Sequence, residues 1–159
     1  MLERAARERG ASALVTNAKE SLAEGVRFAE KRGFSEVKRD WESRLDVGAF
    51  DFEPFAAAPK RVAEQGTTIT TLAAEVARDP DALTRVHELD MDFARDVPSV
   101  DPFTPPTFDE WKARLIDTPS ALPEAWFLAV GPDGRYLGLS NMFKNLEDPS
   151  FLWQGITGV

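Results

Sequence analysis

A hairpin signature in the last third constrains this chain more than any other feature. The apolar run Ala125 to Val130 is followed by the tight turn Gly131-Pro132-Asp133-Gly134 and then by a second strand-like run, Tyr136 to Phe143. Turn residues between two aromatic-rich segments read as a strand, a reversal and a paired strand. After a second loop through Pro149, Phe151 to Val159 supplies a third sheet segment.

The residues before this sheet read as helices. Asp79 and Pro80 supply a cap and a first-turn proline, and Ala82, Val86, Leu89 and Phe93 form a core stripe behind them. The stretch Asp96 to Pro106 holds four prolines and reads as a surface loop. Thr107 and Glu110 then have the spacing of a capping box ahead of Phe108, Trp111 and Leu115, so a second helix starts there. The β-branched run Thr67 to Leu72 opens this segment as a strand. The expected fold class is therefore mixed α+β.

The first third follows a different order. Leu2, Ala5 and Ala6 form a helical stripe, Arg7 and Arg9 suit a helix C-terminus, and Gly10 stops it, so the chain reads as opening in the second half of a helix. Ala13 to Thr16 reads as a buried strand, with Asn17 after it as a loop or cap residue. A helix from about Glu20 to Lys31 carries Leu22, Val26 and Ala29 on one face and ends at Gly33. Val37, Trp41 and Leu45, separated by charged residues, predict half-solvated strand over Ser35 to Val47. Residues 48–66, with Phe50, Phe52, Pro54 and Phe55, carry breakers and read as a connector.

Composition narrows the function classes. At 159 residues the chain can bury one ordinary core, or parts of two. A formal charge of -8 gives no basic footprint for a phosphate backbone, which disfavours nucleic acid. The chain has no cysteine, which removes disulfides and thiolate chemistry, and its one histidine, His87, cannot build a histidine metal site. No apolar run approaches the roughly 20 residues of a membrane helix, and the charged N-terminus is not a signal peptide, so a cytoplasmic chain with no membrane partner is expected.

Three stretches carry a family resemblance: Thr16-Asn17 after the first strand, Phe28-Ala29-Glu30-Lys31-Arg32-Gly33-Phe34 at the end of a helix, and Gln154-Gly155-Ile156-Thr157-Gly158-Val159 in the last strand. Together with the element order, these resemble the GNAT superfamily of acetyl-CoA-dependent N-acetyltransferases, in a tandem arrangement. Residues 1–47 resemble the closing half of one domain, 48–66 a connector, and 67–159 the opening half of the next. The resemblance implies a mostly antiparallel sheet flanked by helices, circularly permuted within one chain or completed by strand exchange in a homodimer.

The same resemblance implies acyl transfer from acetyl-CoA to a small-molecule or peptide amine. Ile156, Thr157, Gly158 and Val159 would be the splayed strand that hydrogen-bonds the pantetheine arm, flanked by Asn17. The acidic proline-rich loop with Asp92, Asp96 and Asp101 would lie where the family binds its acceptor. Three departures bear on activity. The family's Arg- and Gly-rich pyrophosphate loop, which follows such a last strand, is not among these residues. Ala29 stands where members often carry a tyrosine acid, and Gln154 is the polar residue where many carry a glutamate base. Catalytic residues are therefore not assigned, and this segment is expected to be inactive alone.

Each candidate also has a plainer reading. His87 reads as a surface or boundary histidine beside the helical stripe, the acidic loop as solvated charge, and Asn17 as a cap. Trp41, Trp111, Trp126 and Trp153 fall in periodic elements and read as packing residues. Two other function classes remain open. One is a non-catalytic module that completes a sheet through a bare strand edge; the other is an unrelated α+β binding domain.

Overall fold

A computed structural model describes residues 2–100 and 102–159. Two compact units divide the chain, Met1–Ser43 and Arg44–Val159. The division falls a few residues before the boundary expected at 47, and the connector 48–66 lies within the second unit.

The first unit contains α1 (Leu2–Glu8) and α2 (Ala23–Glu30). Gly10 and Gly33 follow these helices with φ of 74° and 83°, the left-handed conformation that ends a helix. The helix expected from Glu20 is shorter at its start: Leu22 occupies the cap position and its side chain makes no capping hydrogen bond. The strands expected at Ala13 to Thr16 and Ser35 to Val47 are not formed. A strand needs a partner for its N–H and C=O groups, and the described residues supply none to either segment. None of residues 3–43 is buried, and Trp41 is 89% exposed.

The second unit holds a sheet. Its elements are α3 (Ala58–Glu64), β1 (Thr68–Thr71), α4 (Leu72–Arg78), α5 (Ala82–Asp96), α6 (Phe108–Leu115), β2 (Trp126–Val130), β3 (Tyr136–Lys144) and β4 (Leu152–Gly158). The described strands pair antiparallel in the order β1-β2-β3-β4. Leu72, expected in the strand, instead opens α4, because the Thr71 hydroxyl accepts the Ala74 N–H and caps a helix with no intervening loop. The capping box at Thr107 and Glu110 forms as the spacing predicts.

The hairpin closes through a Gly134 N–H bond to the Gly131 carbonyl, with Gly134 at φ 79°. Only glycine takes that conformation without strain. Leu72, Val86, Met91, Trp111, Trp126, Leu128 and Leu139 form the buried centre, where α4, α5 and α6 cover the sheet. Trp111 and Trp126 meet edge to face at 6.3 Å, and Trp126 meets Phe143 the same way at 5.4 Å. No described helix is long and apolar enough to cross a membrane.

Candidate functional site

The end of β4 faces the end of α5. Phe93, Asp96, Val97 and Pro98 form one wall of an open cleft of about 290 Å³, and Ile156 to Val159 form the other. The α5 stripe that buries Val86 also presents Phe93, which packs over Gly158. A Cβ at Gly158 would come within 2.8 Å of the Phe93 ring, so this close approach requires glycine. The volume lies at the lower end of the range for small-ligand pockets and suits a thin chain better than a nucleotide.

Among the described residues β4 is an edge strand, hydrogen-bonded to β3 on one side alone, so alternate backbone N–H and C=O groups on its outer side remain available to an extended ligand. The strand is also bulged. Ser140 pairs with Thr157 and Met142 with Gln154, so that Gly155 and Ile156 together oppose Asn141. Gln154 and Thr157, three residues apart, would lie on opposite faces of a regular strand. Across the bulge the Gln154 Nε2 donates to the Thr157 Oγ1 at 2.8 Å, and the Thr157 hydroxyl also bonds the Ser140 hydroxyl at 2.8 Å. This trio is neutral and can orient a carbonyl or an amide but cannot serve as a base at neutral pH.

The expected site residues divide. Asp96, Ile156, Thr157, Gly158 and Val159 come together in the cleft, although β4 ends at Gly158 and Val159 lies just past it. Asp92, one helical turn before Asp96, lines a different hollow of about 340 Å³ between α5 and Pro105-Pro106, and its carboxylate is engaged by Arg95. The expected acidic trio is therefore not one cluster. Asp101 lies outside the described residues. Asn17 is an exposed coil residue of the first unit rather than the flank of a strand, because the strand expected before it is not formed.

Three buried polar groups had no place in the sequence reading. Asn141 accepts the Ile156 N–H at 2.9 Å. Asp90 accepts the Trp111 indole N–H at 2.7 Å. Glu75 accepts from Tyr136 Oη at 3.0 Å and from Arg78 at 2.5 Å. Each falls on an apolar face by its spacing: Asn141 alternates with Leu139 and Phe143, Asp90 lies four residues after Val86, and Glu75 three after Leu72. A polar residue in phase with a core stripe is the signal that could have found them.

Their electrostatics differ. Burial pushes the Asp90 carboxyl above the usual aspartate range, with the Trp111 hydrogen bond and nearby His87 opposing it. Burial acts on Glu75 in the same direction, but hydrogen bonds from Arg78 and Tyr136 outweigh it and hold the carboxyl below its usual range. The Tyr136 hydroxyl is pushed up to about 12 by burial and by the Glu75 carboxylate. His87 packs between Phe108 at 5.6 Å and Trp111 at 5.2 Å, and its buried Nε2 has no hydrogen-bond partner among the described residues. It is a half-buried packing residue.

Comparison with known protein families, with curated proteins and with solved structures gives no match to this chain.

Proposed function

We propose that residues 67–159 are the opening half of a GNAT-like N-acetyltransferase domain, which holds the pantetheine arm of acetyl-CoA along β4 for transfer of its acyl group to an amine. The observation that carries the reading is the edge strand β4 facing a narrow cleft at the end of α5. The meander β1-β2-β3-β4, with helices between β1 and β2, supports it as the element order that the resemblance implies; α4 is an additional short helix at the exit from β1.

In this reading the outer backbone groups of Ile156 to Val159 pair with the amides of the arm. Asp96 is the only ionisable side chain among those lining the described cleft, and its carboxylate attracts the ammonium form of an acceptor. Transfer forms a C–N bond at the thioester carbonyl and breaks its C–S bond, with the amine losing a proton and the thiolate gaining one. Neither proton role is assigned to a side chain of the cleft. Nor does the pyrophosphate of the cofactor fit here, since the cleft offers a carboxylate and no lysine or arginine. These residues are thus proposed to supply arm and acceptor binding but not a complete active site.

Isothermal titration with D-pantetheine and with coenzyme A tests this. Pantetheine binding that coenzyme A does not improve is the expected result. No heat with either ligand, together with unperturbed β4 amide signals, would remove the reading.

A second reading, a non-catalytic module that completes its sheet with another chain, is favoured by the open edges of β1 and β4 and by the exposed Ile69 and Trp153 on those strands. A homodimer formed by strand exchange would show as a concentration-dependent mass in light scattering. A monomer at every concentration counts against it.

A further inference from the structure

We infer that Asn141 is a positioning residue that holds the β4 bulge in place and so directs the backbone of Ile156 to Val159 into the cleft. The inference rests on the reading of β4 as the strand that pairs with an acyl carrier arm, and it assigns the control of that strand to a side chain on its neighbour.

The geometry leaves little room for another arrangement. Asn141 is only 2% exposed and sits on the core face of β3 between Leu139 and Phe143. In a regular ladder one residue of β4 would oppose it, but here both Gly155 and Ile156 do. The extra residue takes the Ile156 N–H out of the ladder, and the Asn141 Oδ1 accepts it at 2.9 Å. Ile156 is partly buried, so its N–H without that acceptor would carry part of its desolvation cost, which favours closing the bulge.

Gly155 is the other half of the device. A Cβ on it would lie 2.3 Å from Asn141 Oδ1 and 2.9 Å from Phe143 Cε2. The side chain of Asn141 thus fills the space that any larger residue at 155 would take. Slipping β4 into regular register would send Thr157 to the opposite face and break its bonds to Ser140 and Gln154. It would also exchange the backbone groups that point outward along Ile156 to Val159, which are the groups an extended ligand meets. Asparagine suits the position because it is short, neutral and a strong acceptor.

The test uses the whole chain, labelled with nitrogen-15, and D-pantetheine as the probe. In the wild type, pantetheine should shift the amide signals of Thr157 to Val159, and the Ile156 amide should exchange slowly with solvent. Asn141→Ala and Gly155→Ala should each speed Ile156 exchange by at least about tenfold and abolish the pantetheine shifts. Asn141→Asp keeps the acceptor and should restore both; in addition, the Ile156 amide signal should follow the titration of the new carboxylate, which a purely packing role would not produce.

If Asn141→Ala unfolds the chain, Asn141→Asp alone decides the matter, since an Ile156 signal blind to that titration overturns the inference. A folded Asn141→Ala that keeps Ile156 protected and still binds pantetheine overturns the inference while the arm-binding reading stands. Absence of pantetheine shifts in the wild type overturns the arm-binding reading and this inference with it.

Discussion

Trp111 donates its indole N–H to Asp90 at 2.7 Å, joining α6 to the face of α5 that looks into the core. Both residues are buried, so the bond ties a carboxylate that has lost its water to a donor that has lost its own. Trp111→Phe should leave that carboxylate short of a partner and cost about 1–3 kcal/mol of unfolding free energy, measured by urea denaturation. A loss within the error of the wild type would show the bond to be idle.

Asp90 should also give the stability an unusual pH dependence. Burial raises its folded pKa above the ordinary value of 3.8, so just above that pH the folded chain binds more protons than the unfolded one. Stability from this group therefore falls as pH rises through the interval between the two values. Asp90→Asn keeps an acceptor for Trp111 and removes the ionisation. Relative to wild type, the variant should gain stability as the pH rises above the ordinary aspartate value of 3.8. A difference that does not change with pH contradicts the assignment.

Glu75 should behave in the opposite sense. Its folded pKa lies below the ordinary 4.5, so its stabilisation is present above that pH and is lost as pH falls through the folded value. The advantage of wild type over Glu75→Gln should accordingly shrink on acidification below about pH 4.5. Tyr136→Phe, which deletes one donor to the same carboxylate, should cost about 1–2 kcal/mol at neutral pH.

At the cleft, Gly158→Ala should push the Phe93 ring off β4, because the added Cβ would meet it at 2.8 Å. Overpacking of this kind costs about 1–3 kcal/mol, readable in a thermal melt. Pantetheine binding should disappear in the same variant. Binding equal to wild type would place the ligand elsewhere.

A chain of residues 44–159 should fold on its own. Every residue of the buried cluster falls between Leu72 and Leu139, and none of residues 3–43 is buried. The melting temperature of the shortened chain should lie within about 2 °C of the parent, and its tryptophan emission should shift to the blue with the loss of exposed Trp41. A non-cooperative melt would show that the first unit stabilises the second.

What the sequence by itself determined is what neighbouring residues decide. The Gly131–Gly134 turn, the Thr107 capping box and the glycines that end α1 and α2 depend on contacts within a few positions, and all form as the residue order predicts. The α5 stripe did so as well, since its period of 3.6 is carried by one helix. Tertiary structure decided what needs a distant partner. Ala13 to Thr16 and Ser35 to Val47 have strand-like residues, but a strand exists only where another strand meets its backbone. Leu72 is the local exception, since the cap that makes it helix is the Thr71 hydroxyl accepting the Ala74 N–H only three residues on. The cleft was legible only in part: the apolar run ending at Val159 pointed to β4, whereas Phe93, Val97 and Pro98 join it only once α5 lies beside the sheet. The bulge at Gly155 was not legible at all, because its cause is the side chain of Asn141, which the pairing of β3 with β4 brings against it from a different strand.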